Sequence, residues 1–171
     1  MTSTYLTQVS NELESLEVIP ASFSSSLQGQ LIAGTNAGTI IAFDPSNLQT
    51  TPIATSSGNM SDIIFSESGV LYAVSANNLM TVDASGTVSN IVSSFSAADG
   101  LAYDPDLERL FVSDSDLDVL YEYDIYSASL TTLGGYDFDS GYFTSGLLWG
   151  SNGYLLILTG ESVQTQVVLS P

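Results

Sequence analysis

Four apolar stretches built alike recur along the chain: QLIAG at Gln30–Gly34, VLYAV at Val70–Val74, RLFVS at Arg109–Ser113 and YLLIL at Tyr154–Leu158. Their leucines, Leu31, Leu71, Leu110 and Leu155, stand 40, 39 and 45 residues apart. A period of that length constrains the fold more than anything else here, because such a repeat is one supersecondary unit that can bury its apolar face only against its neighbours.

Other features keep step with the anchors. A short apolar segment precedes each one: SFS around Phe23, DIIF from Asp62, DGLAY from Asp99 and SGLLW from Ser145. The intervening turns, SLQGQ, SESGV, DPDLER and GSNGY, hold the Gly, Pro, Asp and Asn that tight turns favour. After each anchor a second turn leads to TIIAFD, NLMTVD, VLYEYD or TQVVLS, and then to a weaker Ser/Thr-rich strand, QTTPIA, TVSNIV or SLTTLG. Short β-branched and aromatic strands divided by turn clusters, with no 3.6-residue periodicity, make an all-β chain.

Four strands per forty residues is the size of a β-propeller blade. SESGVLYAVSANNLMTVDASG (Ser66–Gly86) and YDPDLERLFVSDSDLDVLYEYD (Tyr103–Asp124) resemble the repeats of NHL, YVTN and gluconolactonase-like propellers. The resemblance covers most of the chain and implies a fold, since propellers serve many unrelated functions. The expectation is a single propeller-type domain over residues 1–171 with about four four-stranded blades, the last incomplete. Its parts are an N-terminal strand pair or arm (1–19), blade 1 (20–58), blade 2 (59–95), blade 3 (96–143, with an inserted loop at 134–146) and an unfinished blade 4 (144–171).

Residues 4–19 match residues 40–54 in apolar placement, so the chain reads as beginning with the last two strands of a blade and ending after a third strand. Unpaired edges recruit partners, and propellers close by lending a terminal strand to the last blade. Residues 13–19 could finish the last blade of a four-bladed ring; two chains could complete each other; or open contacts could run on into a filament. Self-association is the favoured reading, through Tyr5, Leu6, Val9, Leu13, Leu16 and Val18 at the head and Val167, Val168 and Leu169 at the tail.

Composition removes most chemistry. The 171 residues include no Cys, no His and no Lys, and Arg109 is the one basic side chain in a chain of net charge −18. Thiol and Ser-His nucleophiles, His or Cys zinc sites, Schiff-base lysines and lysine-bearing phosphate loops lack their residues. The negative field repels nucleic acid and anionic lipid, and no apolar run reaches the length of a membrane span. The first residues show neither a basic nor an apolar leader region. Few basic residues with abundant Ser, Thr, Asn, Gly, Asp and Tyr resemble bacterial and archaeal surface proteins, so an extracellular or cell-surface location is expected.

The run RLFVSDSDLDVLYEYD places Asp114, Asp116 and Asp118 at alternate positions. The repeat makes this a turn between second and third strands, with calcium as the alternative; an EF-hand loop would need Gly and Glu where Val119 and Ile125 stand. No cofactor is required on this reading. The inserted loop gathers Tyr136, Asp137, Phe138, Asp139, Tyr142 and Phe143, which suit either a subunit contact or a sugar. Trp149 reads as core, and Arg109 as half of an ion pair with Glu108 or a cross-strand acid.

Gluconolactonase-like propellers hold a catalytic calcium or zinc ion with Glu, Asn and Asp at the central channel. The matching strands here read Ile63, Ile64, Phe65, then Leu101, Ala102, Tyr103, then Leu147, Leu148, Trp149, with Asp62 and Asp99 the only acidic candidates. The expectation is therefore a non-enzymatic, self-assembling structural protein. A carbohydrate- or protein-binding module is the alternative, and a metal-dependent lactonase the weaker one.

Overall fold

The computed structural model describes residues 11–135, 144–150, 153–159 and 166–168, and every regular element among them is a β-strand. Blade 1 contains β1 (Leu13–Val18), β2 (Leu31–Thr35), β3 (Thr39–Asp44) and β4 (Gln49–Thr55). Blade 2 contains β5 (Asp62–Phe65), β6 (Leu71–Ser75), β7 (Asn78–Val82) and β8 (Val88–Val92). Blade 3 contains β9 (Ala98–Asp104), β10 (Arg109–Asp114), β11 (Val119–Asp124) and β12 (Ser129–Gly135). Blade 4, over the described residues, contains β13 (Thr144–Trp149), β14 (Tyr154–Thr159) and β15 (Gln166–Val168). Each sheet is an antiparallel meander in chain order.

The four anchors predicted from the period are the second strands, β2, β6, β10 and β14. Each carries fully buried core residues: β6 is buried at all five positions, Ile32 of β2 and Leu155 of β14 are 0% exposed, and so are Leu110, Phe111 and Val112 of β10. β6 and β10 are covered by a sheet on either side and need apolar residues on both faces, which is why these two runs are continuous rather than alternating.

The blades stack face to face through three apolar clusters. Ile32, Ile40 and Ala42 of blade 1 meet Met60, Ile63, Leu71 and Met80 of blade 2. Tyr72, Val74 and Leu79 meet Leu101, Tyr103, Leu110 and Val112 of blade 3. Ala102, Phe111 and Leu120 meet Leu147, Leu155 and Ile157 of blade 4. Full burial of one such side chain contributes about 1.5–3 kcal/mol, so each blade depends on its neighbours. The first strands β1, β5, β9 and β13 lie beside one another in that order and form the inner edge of the stack.

The turns follow one chemical rule. Asp44, Asp104 and Asp114 accept the backbone N–H of the residue two further on, and Asp124 accepts that of Ser127. The fourth residue after each of these aspartates, Leu48, Glu108, Asp118 and Ala128, has φ between 50° and 62°. The carboxylate thus substitutes for a backbone acceptor and lets the chain pass through a left-handed residue without glycine.

Two expectations about blade 1 are corrected. Its first strand is β1, not the segment around Phe23, and residues 21–23 and 25–29 form turns. Leu13–Val18 pairs antiparallel with β2, Leu16 opposite Ala33 and Val18 opposite Leu31, and so belongs to the first sheet instead of finishing the last. The cause is local: Ile19 N donates to Gln30 O at 2.9 Å and Gly29 N to Ile19 O at 3.0 Å, closing residues 19–30 into a loop that returns β1 onto β2.

Candidate functional site

Three features could act: a line of carboxylates on the inner edge, an ion cluster beside Trp149, and the outward faces of the two end blades.

The carboxylates come from the first strands of three blades. Asp62 accepts Ile63 N–H at 2.9 Å through Oδ1 and Leu101 N–H at 2.9 Å through Oδ2, so it ties blade 2 to blade 3. Burial pushes its pKa up to about 7, against the pull of those two N–H groups, with the charges of Glu17 and Asp99 adding to the rise. Burial likewise raises Glu17, against the Val18 N–H, and raises Asp99, which also feels Glu14. Asp62 and Asp99, which open matching strands, therefore differ in use: Asp62 is a staple between blades. Among the described residues no three such groups converge as a metal site would require.

Asp114 is 0% exposed and accepts Ser96 N–H at 2.7 Å and Ala97 N–H at 3.1 Å, as well as Asp116 N–H and Leu117 N–H in its own turn. It binds the β10–β11 turn to the loop entering β9. Asp116 and Asp118 are exposed; Asp116 accepts Ser96 Oγ at 3.2 Å. The three aspartates do not form a convergent cluster.

Arg109 is only 14% exposed. Its Nε donates to Asp104 Oδ2 at 2.8 Å and its Nη1 to Glu122 Oε2 at 2.7 Å, so its partners are the cross-strand acids and not Glu108. The guanidinium lies 5.1 Å from the Phe111 ring centre and 5.7 Å from that of Trp149, and the two rings stack at 5.2 Å and 17°. Trp149, partly buried, packs on the third cluster. It also lines an open cleft of about 390 Å³ with Phe65, Ser66, Glu67, Tyr103 and Pro105.

The end blades show apolar side chains to solvent. Along β1, Glu17 pairs with Ile32 on the side facing blade 2, so Leu16 and Val18 point the other way, and they are 57% and 58% exposed. On β13, Leu147 faces blade 3 while Leu148, opposite Leu156, points outward and is 56% exposed. Leu13 is 51% exposed. Of the remaining predicted contact residues, Val167 and Val168 lie in β15, while Tyr5, Leu6, Val9 and Leu169 fall outside the described residues, as do Tyr136, Asp137, Phe138, Asp139, Tyr142 and Phe143 of the inserted loop.

Four antiparallel blades stacked through their faces, with first strands side by side along an inner edge, define an open run of β-propeller blades. The chain is similar in fold to an auxiliary nutrient binding protein from Bacteroides ovatus, at 12% identity over 86% of this chain and 36% of that one, with a TM-score of 0.70. It is similar to virginiamycin B lyase from Staphylococcus aureus at 13% identity over 85% and 48%, TM-score 0.62. It is similar to the WD40 repeats of RRP9 at 15% identity over 95% and 52%, TM-score 0.65. The chain thus spans about a third to a half of the length of these solved structures. No family model and no curated protein matches it.

Proposed function

We propose that the chain is a non-enzymatic structural subunit that completes its propeller with a second copy of itself. The observation carrying this reading is the pair of outward apolar faces, Leu16 and Val18 on β1 and Leu148 on β13, at the two ends of a stack whose successive blades share buried apolar clusters. Blades are stable because each covers the next, and a ring has no end faces. Solved propellers of this fold contain two to three times the length matched here, and two copies supply about that much. The contact is heterologous, the β1 end of one copy against the β13 end of the other, and it closes when two such contacts form. Packing of blade faces takes the place of strand lending by residues 13–19, since that segment already belongs to blade 1.

The non-enzymatic part of the reading rests on the absence of His, Cys and Lys and on Asp62 being engaged with backbone N–H groups. Placement outside the cell rests on the composition; among the described residues no helix is long and apolar enough to cross a membrane. The test replaces exposed residues, which leaves the blades folded. Leu16→Asp or Leu148→Asp should convert the two-copy species to single chains in sedimentation equilibrium, with an unchanged circular dichroism spectrum. An unaltered mass in both variants would remove these faces from the assembly.

A further inference from the structure

The first strands of blades 2, 3 and 4 each carry an aromatic at or next to their C-terminal end: Phe65, Tyr103 and Trp149. Three separate sheets bring these side chains to one open cleft of about 390 Å³, shared with Ser66, Glu67 and Pro105. Its volume is within the range of small-ligand sites.

The polar groups of the cleft decide what could enter. Ser66 Oγ already meets Ser68 Oγ at 2.9 Å and receives Val70 N–H at 3.1 Å. The Tyr103 hydroxyl is buried, and burial together with the neighbouring Glu108 carboxylate keeps the phenol protonated. Glu67 is exposed and is the one charge in the lining. The sole cation of the chain, Arg109, is held by Asp104 and Glu122. The nearest positive group, the Arg109 guanidinium 5.7 Å from the Trp149 ring centre, is already neutralised by these two acids, and an anion would meet a net charge of −18 around it. A sugar would need several converging donors and acceptors, which the lining lacks. A cation meets two aromatic rings, Phe65 and Trp149, whose π faces attract positive charge, and the Glu67 carboxylate in the same lining.

We propose that this cleft binds an organic ammonium cation, a quaternary or alkylated ammonium group seated against Phe65 and Trp149 with Glu67 as its counter-charge. Phe111 stacks on Trp149, and Phe23 packs edge-on to Phe65 at 5.2 Å, so both rings are braced by the core. A braced ring loses little freedom when a ligand arrives. The site uses the ends of first strands and the turns that follow them, and it contains none of Leu16, Val18 and Leu148 of the end faces.

Trp149 is the only tryptophan, so its emission reports on the cleft without interference. Tetramethylammonium chloride should change that emission along a saturable curve, with a midpoint on the order of millimolar for a single cation–π site with one counter-charge, when sodium chloride replaces it at constant ionic strength in the control. Glu67→Gln, an exposed substitution, should weaken the midpoint roughly fivefold, and Phe65→Leu should weaken it further. The same curve should appear with the Leu16→Asp variant, which separates this site from assembly. A response identical to that of sodium chloride, equal midpoints in Glu67→Gln and the parent chain, or saturation by glucose in place of tetramethylammonium would each overturn the proposal.

Discussion

Arg109 Nε lies 2.8 Å from Oδ2 of Asp104, a carboxylate that is 1% exposed and faces the junction of blades 3 and 4. Removing the cation leaves that carboxylate in the interior without its charge partner, and such a loss costs about 3 kcal/mol. Arg109→Leu should therefore lower the urea midpoint sharply. Arg109→Lys should recover only part of it, because an ammonium cannot reach Asp104 and Glu122 in the fork that guanidinium offers. A midpoint within experimental error of the parent for Arg109→Leu would show the cluster to be energetically idle.

Asp62 gives the chain a pH dependence of definite sign. Its folded pKa, about 7, lies above the ordinary carboxylate value of 3.8, so the folded state holds a proton that the unfolded chain releases. The penalty for ionising it is absent below pH 4, grows through the interval from about 4 to about 7, and is complete above it. Asp99 and Glu17, raised in the same direction, add to this. The melting temperature should fall as pH rises from 5 to 8, and Asp62→Asn should flatten that fall. Asp44, Asp83 and Asp124, lowered by turn hydrogen bonds from Ser46, Ser85 and Ser127, act oppositely and only at more acidic pH. A rise in stability from pH 5 to 8 would contradict the assignment.

The turns make a paired prediction. Ala128 has φ 55°, where a Cβ is strained by about 1 kcal/mol, so Ala128→Gly should stabilise by up to that amount after the entropy of the unfolded chain is subtracted. Gly86 has φ 87°, and an added Cβ would collide with the carbonyl oxygen of Ile53 in the neighbouring blade. Gly86→Ala should then cost more than about 2 kcal/mol, since both strain and displacement of β4 are required. Thermal unfolding of the two variants checks both signs.

How far the sequence could be read depended on how regular the environment was. β6 and β10 lie between two covered faces and β2 faces blade 2, so their apolar runs stand out and the forty-residue period exposes them. β1 carries no such mark. It has a blade on one side only, and its Leu13, Glu14, Leu16, Glu17 and Val18 read equally well as an outer strand or an arm. The twelve-residue return from Ile19 to Gln30 also hid its pairing with β2, because elsewhere first and second strands are joined by a short turn. The aspartates of the β10–β11 turn could be read as turn residues, but not the reach of Asp114 to Ser96 and Ala97, which depends on the next loop folding beneath it. The cleft was half visible: Phe65, Tyr103 and Trp149 end matching segments, yet only the stacking of blades brings three strand ends to one place.

In the proposed assembly two copies of an open run of blades close on each other through Leu16, Val18 and Leu148. Sedimentation equilibrium of the purified chain, from micromolar to hundreds of micromolar, tests it most directly. Closure by two copies gives a species of twice 18.0 kDa that dissociates to single chains only on dilution. A mass of 18.0 kDa at every concentration, or an unlimited series of larger species, would contradict it.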